Sequence, residues 1–253
     1  MDKVTCELQG GLGNQLFQIA TTLAYGEKYN KFATFENIPY SNSYTKRRTY
    51  FEHLDVNFGK LTNFVNYDEI KFSYSEIPEI VENVKLNGYF QTSKYFDNID
   101  FHNFIKEPKD VNLLYNELTD KYETNNLISI HVRRGDYLKL PLNHPCCNLN
   151  YYQEAVNLLP NYPIIVFSDD VDWCKNNFNF SNSTYFVEEL EDFVEMLLMS
   201  KITHNIIANS SFSWWSAYLN INKDKKVICP KIWFGPSGPQ DWQDIYEEDW
   251  IRL

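Results

Sequence analysis

From Leu127 to Cys229 the chain alternates short apolar runs with stretches of helical spacing, and that alternation restricts the fold more than any other feature. Leu127–Val132, Ile164–Phe167, Thr184–Val187, Asn205–Ala208 and Lys226–Cys229 read as buried strands, each bounded by turn residues or Pro. Helices are expected between them: Asn150–Leu159, opened by an Asn150/Gln153 capping box and stopped by Pro160, a short one through Trp173, Glu191–Ser200 and Ser213–Leu219. Strands alternating with helices form βαβ units and therefore a parallel sheet. Right-handed crossovers bring every strand's carboxyl end to one edge, where open α/β sheets bind ligands. His131, Arg133, Asp169 and Ser211 are thus expected to converge, though far apart in sequence.

The first of these strands ends in His131-Val-Arg-Arg-Gly-Asp-Tyr. Side chains alternate along a strand, so His131 and Arg133 share one face while Val132 and Arg134 share the other. The planar fork of an arginine matches phosphate oxygens, and Gly135 permits a sharp turn or a close approach, so an anionic ligand suits the stretch. Structural ion pairs are the competing expectation for the two arginines. Asp169, first after its own strand, offers two acceptors that match a guanine's N1–H and amino group, which adenine lacks. For Asp169 and Asp170 the alternative is simple capping of the following helix.

The amino-terminal part repeats the plan in shorter form. Val4–Leu8 reads as a strand, Gln9–Gln15 as a Gly-rich loop, and the chain from about Gln15 to Tyr29 as a helix with Leu16, Ile19, Ala20, Leu23 and Ala24 on one face. Gly10, Gly11 and Gly13 let backbone N–H groups approach a ligand at a helix amino terminus, where the dipole favours negative charge. Leu16 stands where the dinucleotide fingerprint needs its third glycine, and the Gly-Lys-Ser/Thr ending of a P-loop is absent. A tight structural turn is the plainer account of the glycines, and the amides of Asn14 and Gln15 favour a ligand. Phe32–Phe35 and Val84–Gln91 are further strands, 37–75 is expected to be irregular with short helices, and a helix follows over 110–122. Lys106-Glu-Pro-Lys-Asp suggests a boundary near 105, giving domains 1–105 and 106–253, with the last helix returning to the first.

A net charge of −11 argues against nucleic acid or an anionic membrane surface as partner. The amino terminus has no apolar core segment and no run approaches the roughly 18 apolar residues of a membrane span, so a soluble, cytoplasmic protein is expected. Five cysteines, an odd number with only Cys146 and Cys147 adjacent, are expected as free thiols, and His144 beside that pair is a poor metal site. Aromatic residues make up 17% of the chain, which suits both a core and a sugar-binding surface.

Five ordered blocks, GGLGNQLFQ at 10–18, NGYFQTSKYF at 87–96, HVRRGDY at 131–137, FSDD at 167–170 and NSSFSWWSAYL at 209–219, together resemble glycosyltransferase family 11, the α-1,2-fucosyltransferases. The resemblance spans nearly the whole chain. It implies a GT-B fold, two Rossmann-like α/β domains with parallel sheets facing across a cleft, and inverting transfer of L-fucose from GDP-β-L-fucose to a hydroxyl, such as the 2-OH of a galactoside, on a glycan acceptor. It implies no metal. By the same resemblance Arg133 would hold the diphosphate with Arg134 in support, and His131 and Asp169 would hold guanosine. Ser210, Ser211 and Phe212 would line the phosphate side, while Gly13 and Asn14 would face the donor and its reacting sugar. Asp136 and Glu36 are candidates for the base that deprotonates the acceptor.

Two other classes compete. Asp170-Val-Asp172 is a DxD, the signature with which GT-A transferases bridge a divalent ion to a diphosphate. A non-catalytic GDP-sugar or glycan-binding protein would use the same residues without turnover.

Overall fold

The computed structural model describes every residue except 42–45, so that part of the segment expected to be irregular lies outside the described residues. The chain forms two compact units, Met1–Lys106 with Asp241–Glu247, and Glu107–Gln240 with Glu248–Leu253. No helix among the described residues is long and apolar enough to cross a membrane.

In the first unit β1 (Lys3–Cys6), α1 (Leu12–Lys28), β2 (Phe32–Ala33), β3 (Val65–Asp68) and β4 (Val84–Asn87) build a four-stranded sheet of order β2-β1-β4-β3, parallel throughout. The helix starts at Leu12 rather than Gln15, because Gly10 takes a left-handed φ of 78° and Gly11 an extended N-cap conformation. An added methyl group at Gly10 would also lie 2.4 Å from Asn14 Nδ2. Nearly every face of α1 is covered, including Gln15, Gln18, Thr21 and Thr22, so its polar residues serve the interior. β3 lies in the stretch expected to be irregular: its residues are exposed or half-exposed, and register against β4 rather than an apolar pattern defines it.

The second unit opens with α2 (Lys109–Tyr122) and continues through β5 (Ile128–Val132), α3 (Leu149–Asn157), β6 (Ile164–Ser168), α4 (Val171–Asn177) and β7 (Thr184–Phe186). It goes on with α5 (Asp192–Lys201), β8 (His204–Ile206), α6 (Ser211–Tyr218), β9 (Val227–Cys229) and β10 (Ile251–Arg252). All its strands are parallel, in the order β10-β9-β8-β5-β6-β7. The winding runs outward from β5 through β6 and β7, then reverses to β8, so the switch point of this Rossmann-like sheet lies between β5 and β8. Two parallel α/β units are the GT-B plan that the five blocks imply.

β5 is buried along its whole length, and its alternation feeds two cores. Ile128, Ile130 and Val132 pack with Tyr151, Tyr152, Ala155 and Val156 of α3. Leu127 packs on the other side with Ile165, Phe167, Leu198 and Met199. Burying one such side chain stabilises the fold by roughly 1.5–3 kcal/mol, so the edge beyond β5 is built on a firm base. The cap of α3 is Asn148, whose side chain accepts a 2.9 Å bond from Tyr151 N, in place of the Asn150/Gln153 pair. β10, which the sequence pattern did not reveal, is a two-residue strand added to β9 by backbone pairing.

Candidate active site

Where β5 ends, Arg133 enters a ring of carboxylates. Its Nη2 donates to Asp136 Oδ1 at 2.6 Å and its Nη1 lies 3.1 Å from Asp169 Oδ2. Burial alone would lower the guanidinium pKa, but Asp169 and then Asp136 outweigh it and the net shift is upward. A guanidinium has five N–H donors, and these two contacts leave others for a ligand. Arg134 points to the opposite face: its Nε donates to Asp170 Oδ2 at 3.0 Å, and its guanidinium lies 3.9 Å from the Trp173 ring centre, a cation–π contact.

Asp169 is held by more than Arg133, since the backbone N–H of Arg134 donates to its Oδ1 at 2.9 Å. Gly135 makes this possible, because a Cβ there would lie 2.6 Å from Asp169 Oδ2. The helix cap is Asp170, not Asp169: Oδ1 of Asp170 accepts from Trp173 N at 3.2 Å and opens α4. Asp170 is thus engaged through both oxygens, and Asp172 lies in the first turn of that helix. Among the described residues, no group of three or more His, Cys, Asp or Glu is placed to hold a metal ion.

His131 is 4% exposed, and its ring packs 5.1 Å from that of Phe212. Its Nδ1 has no partner among the described residues, and burial with the nearby Arg133 charge pushes its pKa down to about 3, so the imidazole is neutral at every physiological pH. Phe212 belongs to α6, whose first residue is Ser211 and whose N-cap, Ser210, makes no capping bond through its side chain. Asn209, before that cap, is a brace: its Nδ2 donates to the backbone oxygens of Pro145 and Trp233 at 3.0 and 2.9 Å. Trp214 and Trp215 are fully buried, so the second half of this block belongs to the core rather than to a ligand surface.

Gly13 and Asn14 lie in the first turn of α1, in the other unit. Asn14 Oδ1 accepts from Gln91 Nε2 at 2.8 Å, which ties the Gly-rich block to the NGYFQ block. Gln15 Nε2 spans Gly10 O and Arg48 O, at 2.9 Å each. Glu36, offered as a base, is exposed and lies 3.8 Å from Lys60.

Four residues with clear roles at the β5 edge escaped sequence reasoning. Tyr137 passes behind Arg133 and donates from its hydroxyl to Asn209 O at 2.9 Å. Tyr152 donates to His131 O at 3.3 Å, and Trp173 supports Arg134. Glu195 of α5 is a mostly buried carboxylate whose pKa is pushed up to about 8, by burial first and then by the charges of Asp192 and Asp169. A helical Glu on a half-apolar face carries no signal of such a place. Burial pushes the Cys147 thiol up to about 12, and it donates to Asn209 Oδ1 at 3.7 Å. All five cysteines are free thiols.

A protein-family model, Glycosyl transferase family 11, matches residues 2–253. The O-antigen biosynthesis glycosyltransferase WbnK of Escherichia coli is 31% identical, with 97% of this chain and 99% of that protein aligned. An α-1,2-colitosyltransferase of Escherichia coli is also 31% identical, over 100% of this chain and 99% of its own. A galactoside 2-α-L-fucosyltransferase of Bos taurus, SEC1, is 25% identical over 85% of this chain and 64% of its own length. Among solved structures, the α-1,6-fucosyltransferase NodZ from Bradyrhizobium soaked with GDP-fucose gives a TM-score of 0.54 at 11% identity, over 87% of this chain and 93% of that one. A mutant of Arabidopsis thaliana FUT1 in complex with GDP gives 0.58 at 12%, over 90% and 70%. These two structures share the fold of this chain.

Proposed function

The chain belongs to glycosyltransferase family 11, and we propose that it transfers L-fucose from GDP-β-L-fucose to a sugar hydroxyl, the 2-OH of a galactoside, with inversion and without a metal. The observation that carries this is Arg133, fixed at the carboxyl end of β5 by Asp136 and Asp169 with donors to spare. As the bond to the sugar breaks, charge builds on the leaving β-phosphate. A guanidinium already oriented there stabilises the transition state more than the ground state. Arg133 thereby takes the place of a divalent ion, with Arg134 adding positive charge behind it. The amino terminus of α6, with Ser210 and Ser211, receives the phosphates as helix amino termini do. His131 and Asp169 lie on the guanosine side, and Phe212 covers the His131 ring. In the first unit, the bond from Gln91 fixes the orientation of the Asn14 amide, and Gly13 and Asn14 are the residues of that unit we assign to the donor. Asp136, which faces Arg133 at 2.6 Å, orients that arginine in this scheme rather than taking the acceptor proton.

A second donor has direct support, since one relative is named for colitosyl transfer. Incubation with either GDP-fucose or the GDP derivative of colitose, and with a panel of galactosides, separates the two by GDP release and by the mass of the product. Fucosylated galactoside formed in excess EDTA is the expected result. Product only from the colitose donor shifts the donor assignment. Loss in EDTA restored by manganese moves the chemistry to Asp170 and Asp172, and binding without turnover on any acceptor leaves a GDP-sugar-binding protein.

A further inference from the structure

We propose that Glu69 is a positioning residue for sugar transfer: its carboxylate sets the turn at 88–91 and, through Gln91, the amide of Asn14. This role rests on the transferase function above, in which Asn14 is assigned to the donor. Asn14 follows β1, Gln91 follows β4 and Glu69 follows β3, so all three stand at the carboxyl edge of one parallel sheet.

The links between them are direct contacts. Glu69 N donates to Asn87 O at 2.8 Å and prolongs the β3–β4 pairing, while its side chain turns back over the next residues. Oε2 accepts from Tyr89 N at 2.7 Å and Oε1 from Phe90 N at 2.9 Å, so one carboxylate satisfies two consecutive backbone donors. Gln91 comes next. It is buried, and its Nε2 donates to Asn14 Oδ1 at 2.8 Å.

The turn needs this support. Phe90 is fully buried at a φ of 52°, a left-handed conformation that a bulky side chain rarely takes and that persists only where its surroundings impose it. The two bonds to Glu69 supply the constraint. Gly88 makes room for them, because a Cβ there would lie 2.4 Å from Glu69 Cβ and 2.8 Å from Oε2.

An ionised carboxylate accepts strongly through both oxygens, whereas a protonated one turns one of them into a hydroxyl. Burial raises the Glu69 pKa from 4.5 to about 7, against the pull of the two N–H bonds and with the Asp241 charge adding to the rise. Tyr67 and Tyr95 also feel Glu69, and both stay neutral because burial, with Glu69 adding to it, raises their pKa values. The turn is therefore held firmly above pH 7 and loosens as pH falls through it. The amides of Gln91 and Asn14 do not titrate, so Glu69 is the route by which pH reaches them.

The test follows the Tyr89 and Phe90 amide protons and the Gln91 side-chain amide of the full ¹⁵N-labelled chain across this pH window. Turnover of GDP-fucose is measured alongside in wild type, Glu69→Gln, Gln91→Leu and the double variant. A shared midpoint near 7 is expected for the three resonances, with an acid limb of wild-type turnover at the same pH. Glu69→Gln sets an NH2 group against one of the two N–H donors. Its turnover should fall about fivefold, with the donor Michaelis constant little changed and the acid limb gone. In the Gln91→Leu background the same substitution should have no further effect, because the route to Asn14 is already cut. A Gln91 amide that stays still while Tyr89 and Phe90 titrate overturns the link, and so do losses that multiply in the double variant. Lowered thermal stability with unchanged turnover makes Glu69 purely structural. The wild-type resonances decide even where a variant fails to fold. A shared midpoint in a protein that transfers no sugar upholds the link and refutes the transferase function, so the two failures are distinguishable.

Discussion

The loop after β1 and the loop after β5 occupy the same place in two parallel sheets, yet they are held largely by different chemistry. After β1 an ion pair, Lys85 with Glu7 at 2.6 Å, is joined by neutral amides: Gln9 and Gln18 bond reciprocally at 3.0 and 3.2 Å, Gln15 spans two backbone oxygens, and Gln91 holds Asn14. After β5 the restraints are ion pairs, with Arg133 and Arg134 set among Asp136, Asp169 and Asp170. Amides fix a geometry whatever the pH and salt, which suits the orientation of an uncharged sugar. Charges cost more to bury but can answer charge that develops on a leaving group. Two guanidinium groups against three carboxylates leave the β5 edge no excess of positive charge. In the proposed function, a diphosphate at this edge would be held by directed N–H donors and the amino terminus of α6 rather than by net attraction.

The sharpest test of that contrast is Arg133→Lys. The charge is kept and the planar fork is lost, so turnover should fall by about 2–4 kcal/mol of transition-state stabilisation, while the donor Michaelis constant changes less. Near-normal turnover with only a raised Michaelis constant would show Arg133 binding the ground state.

Asp169→Asn comes next, at about 2–3 kcal/mol in GDP affinity. Asparagine keeps an oxygen for the Arg134 N–H but loses the charge that faces Arg133. If Asp169 reads guanine, calorimetric titration will show GDP weakened while ADP hardly moves. Equal weakening of both nucleotides would mean that the carboxylate acts only through Arg133.

Glu195 gives the charged loop a pH dependence of its own. Its pKa is raised from 4.5 to about 8 in the folded chain, so the unfolded chain binds fewer protons between those values and stability falls as pH rises through that window. Glu195→Gln removes the cost, and denaturant unfolding at pH 8 should show a gain on the order of 2 kcal/mol that disappears near pH 4. In wild type, ionisation above pH 8 also adds negative charge beside Asp169, so GDP affinity should decline there and stay level in the variant. A variant with the wild-type pH profile would remove Glu195 from the cluster.

The smallest effect belongs to the amide loop. Gln91→Leu deletes one neutral hydrogen bond to Asn14, worth about 1 kcal/mol, and the change in transfer rate should be the same in low and high salt. A loss that grows with salt would mean that charge reaches this loop too.

The alternation from 127 to 229 determined the second unit almost to the residue, because strand and helix periodicity is local and its apolar positions are the ones buried. Alternation along β5 likewise sent Arg133 and Arg134 to opposite faces, and Arg134 lies on Trp173 beside the Val132 core. Where an element owes its existence to pairing, the pattern was silent: β3 and β10 have exposed side chains and are strands only because β4 and β9 offer backbone partners. Helix starts drifted for a similar reason, since Gly10, Asn148 and Asp170 set them by backbone angle or by one side-chain bond.

The sequence by itself determined which residue types stand at each strand's carboxyl end. Only the tertiary structure decided what each of them meets. Arg134 and Asp169 are 35 residues apart, and no local rule says that the N–H of one will seat the carboxylate of the other, or that Gly135 is needed to make room for it. Glu195 is the clearest case: its chemistry is set by the low-dielectric space and the neighbouring carboxylates into which α5 carries it. Periodicity is a property of neighbours along the chain, whereas burial and charge belong to neighbours in space.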